Sequence, residues 1–388
     1  MKKKIIFLVI SIFFCISMIM LIPLKTYSAS LISNESSIEE EFKIESFISE
    51  ASKYAEDFFG EDDIGKIFND AITGKTDNGK IFSRIFELIM PEFVKTLGIV
   101  ATILVIIIIH SILKAISESL ENDSISKIIY YVQYILIVTV VMASFTDIIK
   151  MVENAVSNLV GFMNLLIPLL ITLMLYTGSI ATSGILQPIL IFVINFVGNT
   201  IQIVILPLTL IFTALIIISK LSDKVQIEKL VKFLKSGIIW FFGIILTIFV
   251  TIVSLEGTLS SGVDGLTAKT TKSIVSSSVP VVGKILGDVV DAVLGSGIIL
   301  KNAVGFVGVI IILGISVIPI IKLGILSFTY TLLGVIVEPI ADQKISKLLG
   351  QVGDVFKILL AILVSLSFLL IIGTALTLKI SNTGMMYR

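Results

Sequence analysis

The chain has 388 residues, of which 56% are hydrophobic and only 15% are charged, and its mean hydropathy is +1.07. Soluble globular proteins carry about 25% charged residues, so this composition excludes an ordinary soluble domain and indicates a membrane protein. The formal net charge is zero, so the chain lacks the excess of basic residues that would indicate a nucleic-acid partner.

Residues 1–30 are typical of a secretory signal peptide. Lys2 begins a short basic run, Ile5 to Ile22 form an apolar core, and small residues around Ser28 offer a cleavage site. Because the apolar core is long for a signal peptide, an uncleaved anchor is the alternative. Cys15, the one cysteine, lies inside this segment, so a cleaved chain has no thiol for a disulfide, a metal site or catalysis.

Residues 31–95 form an acidic segment with fifteen acidic and seven basic side chains. Apolar residues recur there at helical spacing in three stripes that start near Ile44, Ile64 and Ile81. We expect a small extracytoplasmic helical domain. Its stripes either pack on each other or bind a partner.

The first part of the membrane domain is predicted at residues 96–254. No charged residue or histidine occurs between Glu153 and Lys220. Residues 185–219 are too long for one ordinary span and slightly short for two, so we expect a helical hairpin there, made of two short spans or a re-entrant pair. The uncharged block then makes three crossings. The other expected spans are residues 96–113, 128–145, 158–176 and 237–254.

The uncharged block carries polar amides and three prolines. Amides in hydrocarbon are costly unless they meet partners, so these residues predict helix contacts or a wet path. The candidate residues are Asn164, Gln187, Asn195, Asn199 and Gln202.

The loop after the block gives the orientation of the chain. Five lysines lie between Lys220 and Lys235 against two acidic residues, which places this loop in the cytoplasm by the positive-inside rule. An external N-terminal domain agrees with that side. Residues 255–301, rich in serine and glycine, are then predicted as an extracytoplasmic segment that lies in the interface or dips into a pore.

Residues 302–388 form the second part of the membrane domain. An apolar stretch of double length is interrupted by Pro319 and Lys322, and residues 358–378 make the final span. Lys322 and Glu338 are the candidate intramembrane ions of this part. The alternative is that both side chains reach out to the two membrane interfaces.

The sequence contains no H-E-x-x-H, phosphate-binding loop or G-x-S-x-G motif. We therefore expect a non-enzymatic, all-α polytopic integral membrane protein that needs no cofactor. The two interrupted apolar stretches leave a stand-alone secondary transporter or permease as the alternative function.

Several short segments, in this order and spacing, resemble the stage III sporulation protein AE family of endospore-forming bacteria. The resemblance covers nearly the whole chain after the signal peptide. The segments are Phe162-Met163-Asn164 with Pro168, Ser254-Leu255-Glu256-Gly257, Asp264-Gly265, Val279-Pro280-Val281-Val282-Gly283 and Leu300-Lys301-Asn302-Ala303-Val304-Gly305.

The resemblance implies a subunit of the multiprotein channel that links the mother cell and the forespore. Its place would be the mother-cell-derived membrane around the forespore. The implied partners are other proteins of the sporulation operon, including a secretion-type ATPase and ring-forming subunits, and a channel protein of the forespore membrane. A homo-oligomer is also possible. The family supplies no catalytic residues.

Overall fold

The computed structural model describes residues 44–59, 61–73, 78–119, 123–221, 227–252 and 283–386. The predicted signal peptide and most of the predicted 255–301 segment lie outside these ranges. The described residues are almost entirely helical, and no strand occurs among them. Six of the helices are long and apolar enough to cross a membrane. The predicted fold class, an all-α polytopic membrane protein, is confirmed.

Two amphipathic helices, α1 (Ile44–Phe59) and α2 (Glu61–Thr73), precede the long ones. They pack on each other and on the long helix Gly283–Ile336, which is α8 in chain order. The remaining helices are α3 (Asn78–Ser119), α4 (Asp123–Tyr176), α5 (Ile180–Thr200), a π-helix (Ile201–Ile205), α6 (Leu206–Leu221), α7 (Glu228–Ile252), α8 (Gly283–Ile336) and α9 (Gln343–Met386).

The helices are longer and less interrupted than the sequence predicts. Residues 128–145 and 158–176 belong to one helix, α4, and the predicted hairpin at 185–219 is wrong because the chain is helical from α5 through the π-helix to α6. The three predicted crossings of the uncharged block are therefore replaced by the end of α4 and one return helix. A continuous helix keeps its backbone groups paired, which a break in an apolar environment does not.

The sequence left open whether Lys322 marks a loop, and the structure shows that it does not. Helix α8 passes through both Pro319 and Lys322 and ends only at Ile336. Proline removes one backbone donor from a helix and can kink it, but neighbouring helices tolerate this in membrane proteins. Ser316 donates its hydroxyl to Ile312 O at 2.8 Å in the turn before Pro319.

The centre of the bundle is the pair α8–α9, which is the most extensive helix pairing among the described residues. Glycines bring the two backbones together. A Cβ added at Gly353 would lie 2.6 Å from Thr331 Oγ1 and 2.9 Å from the Thr331 amide nitrogen. Ser346 donates to Gly334 O at 2.8 Å across the same interface. Small residues and interhelical hydrogen bonds of this kind hold helices together in lipid.

Helices α4 and α1 cover the centre from one side. Helix α4 packs on α8, and α1 lies against both of them. A Cβ at Gly161 of α4 would lie 3.0 Å from the Tyr54 ring, and one at Gly314 of α8 would lie 2.5 Å from the Phe59 ring. The two glycines therefore form the seats on which α1 rests.

Candidate functional site

The amide-bearing region lies where α4 and α5 run side by side in opposite directions. A tight turn at residues 177–179 joins them, and Gly178 has a φ of 86° there. Ser179 N–H donates to Met174 O at 2.9 Å and Gly178 N–H donates to Leu175 O at 3.0 Å. This is the Schellman pattern, in which glycine takes the left-handed position that other residues avoid.

The two helices are joined by a reciprocal amide pair. Asn164 Nδ2 donates to Asn195 Oδ1 at 3.1 Å, and Asn195 Nδ2 donates to Asn164 Oδ1 at 2.9 Å. Asn195 Nδ2 also reaches Ile191 O at 2.7 Å in its own helix. Asn164 is exposed and Asn195 is half-buried, so the pair lies at the surface of the bundle.

Close packing beside the pair depends on Gly198. A Cβ there would lie 2.3 Å from Val160 Cγ2, a separation that real side chains do not show. Glycine thus lets α5 approach α4 closely one turn from Asn195, in the way that small residues do at membrane helix interfaces.

A π-helix follows at Ile201–Ile205. The amide of Leu206 donates to Ile201 O, five residues earlier, which defines the wider π turn. Pro207 comes next and has no amide hydrogen to donate, so a regular α-helical pattern is interrupted here in any case. Single π turns inside α-helices occur frequently at functional sites.

The outer face of α5 and the π-helix forms an open groove of about 480 Å³. Amide and apolar side chains alternate along it, and the rings of Phe192 and Phe196 are stacked with centroids 6.1 Å apart. Asn199, like Phe192 and Phe196, is exposed. The groove is lined by Ile191, Phe192, Asn195, Phe196, Asn199, Thr200, Ile203 and Val204. Such a surface suits contact with another helix, because the amides both donate and accept hydrogen bonds.

The other sequence candidates lie apart from the amide pair. Gln187 and Gln202 are half-buried on the long helix that contains Asn195. Lys322 Nζ lies 3.8 Å from Glu92 Oε2 of α3. Glu338 is exposed in the turn after α8, so the two candidate ions, Lys322 and Glu338, occupy different parts of the bundle.

Several polar contacts were not anticipated from the sequence. Tyr130 donates its hydroxyl to Lys220 O at 2.7 Å, and Tyr134 donates to Ile217 O. Lys235 pairs with Asp354 at 2.7 Å. The two tyrosines lie four residues apart on one helix face, which is a sequence signal for their shared role but gives no indication of the Lys235–Asp354 pair.

No group of three or more histidine, cysteine, aspartate or glutamate side chains able to hold a metal ion occurs in the described part of the chain. The polar groups of the site are amides and hydroxyls, which contribute hydrogen bonds rather than nucleophiles or bases at neutral pH. The arrangement is therefore suited to joining helices.

Comparison with known proteins identifies the family of the chain. A family model described as stage III sporulation protein AE matches residues 63–381. The chain is 26% identical over 304 residues to the stage III sporulation protein AE of Bacillus subtilis (strain 168), which covers 78% of this chain and 76% of that protein. No solved structure matches. The chain belongs to the stage III sporulation protein AE family, and it is a sporulation-related multi-pass membrane protein.

Proposed function

We propose that this protein is a non-enzymatic subunit of the channel complex between mother cell and forespore, and that the amide-bearing face of α4 and α5 is one of its assembly contacts. The observation that carries the proposal is the reciprocal Asn164–Asn195 pair beside an exposed groove. Family membership supports the sporulation role. The site lies on the face of a helix pair, where it is accessible to a partner helix.

The partners and the location follow from the same proposal. The chain would lie in the mother-cell-derived membrane around the forespore. It would assemble there with the other products of the sporulation operon, among them a secretion-type ATPase and ring-forming subunits, and meet a channel protein of the forespore membrane. The lysine-rich end of the bundle, near Lys220, would face the ATPase in the mother-cell cytoplasm.

A stand-alone secondary transporter has lost the observation that favoured it. The two interrupted apolar stretches suggested broken helices of the transporter type, but α8 and the α5–α6 helix are continuous through them. The cavity among Met163, Phe249 and Leu370 measures about 10 Å³, which is too small for a solute.

The proposal is tested by replacing Asn164 and Asn195 with leucine, singly and together, in a spore-forming host that carries the variant in place of its own copy. We expect the full-length protein to accumulate in the membrane but to recover fewer operon proteins on isolation, with a loss of heat-resistant spores. Thr139→Leu is the matched control, because Thr139 is an exposed polar residue of α4 whose hydroxyl reaches only Ile135 O of its own helix.

Two results would contradict the proposal. Normal recovery of the complex and normal spore counts in the double variant would show that the amide face is not an assembly contact. Solute flux through liposomes containing only the purified chain would instead favour the transporter.

A further inference from the structure

The bundle carries two apolar, outward-facing belts at different positions along its long axis. The end of the bundle that contains the turn between α8 and α9 is called the lower end. The lower belt is formed by α3, α4 and α8, each of which has an uncharged stretch there: residues 96–113, 128–146 and 323–337. At 1.5 Å per residue these stretches are about 22–29 Å long, close to the thickness of bilayer hydrocarbon. Exposed apolar side chains line them, among them Val105, Ile109, Val132, Ile135, Phe328 and Val335.

The upper belt is on α7. This helix begins with exposed Lys229 and Lys232, and residues 236–252 carry no charge. The large exposed side chains of this stretch are apolar and include the one tryptophan of the chain: Ile239, Trp240, Phe241, Ile248 and Val250. Ser236, Thr247 and Thr251 are also exposed, and the two threonine hydroxyls donate to carbonyl oxygens four residues earlier in the same helix.

Helix α9 contacts both belts, so the positions of these contacts along α9 give the axial distance between the two belts. At the lower belt, Lys344 lies over the Tyr130 ring at 5.5 Å and Phe356 meets Phe145 with ring centroids 6.0 Å apart. At the upper belt, Lys235 pairs with Asp354, and the Phe249 ring lies 3.7 Å from a Cβ built at Gly373. The belt centres are therefore separated by about 20 Å along α9, at 1.5 Å per residue.

The surface opposite each belt carries exposed charged side chains. At the height of the upper belt, α1 covers the other side of the bundle through its seats on Gly161 and Gly314. Its exposed side chains there include Glu45, Glu50, Lys53 and Glu56. At the height of the lower belt, the α7 side presents Lys229 and Lys232 beside the exposed apolar side chains of Leu230 and Phe233. A bilayer perpendicular to the bundle axis would immerse one of these charged surfaces, at a cost of several kcal/mol per charge.

We infer that the bundle lies obliquely in the membrane, so that one bilayer covers the lower belt on the α3 side and the upper belt on the α7 side. The path from α3 through α8 and α9 to α7 is three helix spacings, at most about 27 Å at 9 Å each. An offset of about 20 Å over this width requires a tilt of at least about 35°, near the upper end of the range for membrane helices.

This placement leaves α1 and α2 in water on one side of the membrane and the start of α7 in water on the other. It also explains the surface of α4, a helix about twice as long as a bilayer is thick. Beyond the lower belt, from residue 147 to 174, the exposed side chains of α4 are polar or charged. Helix α5 with α6 exposes apolar side chains along its whole length and is compatible with either height.

The test uses tryptophan fluorescence and bilayers that contain brominated lipids, with the full chain reconstituted in nanodiscs. In a Trp240→Phe background, single tryptophans are introduced as Val105→Trp, Ile248→Trp, Lys53→Trp and Lys232→Trp. We expect bromines in the acyl chains to quench the first two variants several-fold. The last two variants should show little change. Helical content, measured on each variant, confirms folding.

Every other pattern overturns the inference. Quenching at position 105 but not at 248 would place the bundle upright on its lower belt, and the reverse would place it upright on its upper belt. Quenching at position 53 would immerse α1. If a tryptophan variant does not fold, a cysteine is introduced at the same position in a Cys15→Ser background and labelled with a membrane-impermeant maleimide. Water-exposed positions react and lipid-covered ones do not.

Discussion

The α8–α9 interface and the α4–α5 contact both bring two apolar helices together at glycines, but they differ in where their polar groups lie. At α8–α9 the backbones nearly touch through glycines, and the surrounding side chains are buried. At α4–α5 a pair of amides bridges the helices at the surface, beside an open groove. The α8–α9 contact has no space for an added side chain at Gly334 or Gly353, whereas the α4–α5 contact keeps hydrogen-bonding groups available to another molecule. We conclude that α8–α9 stabilises the fold and that α4–α5 is suited to assembly.

The largest expected effect comes from adding a methyl group at α8–α9. Gly353→Ala would place a Cβ against the backbone nitrogen of Thr331 and the carbonyl oxygen of Ser327, which cannot swing away, so we expect a loss of about 3 kcal/mol in unfolding free energy and poor yield from the membrane. Thermal unfolding in detergent measures this. Gly324→Ala is the control, since no atom lies within 4 Å of its added Cβ. Equal stability of the two variants would remove the distinction between the two contacts.

A smaller effect is expected where α1 rests on α8. Gly314→Ala would bring a Cβ to 2.5 Å from the Phe59 ring, but a ring at the end of a side chain can move. We expect a loss of about 1 kcal/mol, and faster proteolysis within α1 while the long helices stay intact. Unchanged proteolysis of α1 would mean that this seat is not tight.

The amide pair is expected to contribute still less to the isolated chain. In a double-mutant cycle of Asn164→Leu and Asn195→Leu, the coupling energy should be about 0.5 kcal/mol, at the low end for a side-chain hydrogen bond because the pair lies at the surface of the bundle. A coupling above about 2 kcal/mol would make this contact a structural one and would weaken its role in assembly.

The smallest effect is expected at Gln133 of α4. Its side chain is buried, and neither amide atom has a hydrogen-bond partner among the described residues. Replacing it with leucine should leave the unfolding temperature unchanged or raise it slightly, because an unpaired buried amide costs free energy. A clear loss of stability would reveal a partner, such as a bound water, and would place Gln133 with the functional amides.

The fold class could be read from the sequence because it depends on local composition. Uncharged stretches such as 128–145 predict membrane-spanning helices, and the lysines after Lys220 predict which side of the membrane that loop faces. Helix breaks were not predictable in the same way. Pro168, Pro188 and Pro319 all lie inside continuous helices, since packing of neighbouring helices decides whether a proline ends a helix.

The site was predicted in part, for a related reason. Amides in the uncharged block marked a polar feature, but the pairing of Asn164 with Asn195 depends on the register set by the turn at Gly178. The sequence marks Lys322 and Glu338 as candidate intramembrane ions, but it does not indicate that the neighbour of Lys322 in space is Glu92 of a different helix. Contacts between distant segments require the three-dimensional packing.

The π-helix at Ile201–Ile205 sets the rotational phase between two halves of one long helix. A π turn corresponds to one residue inserted into an α-helix, and one residue turns an α-helix by about 100°. Removing one residue from this segment would rotate α5 relative to α6 by that angle. While α6 kept its contacts with Tyr130 and Tyr134, Asn195 would turn away from Asn164. One extra residue thus lets a single helix satisfy two separate sets of neighbours.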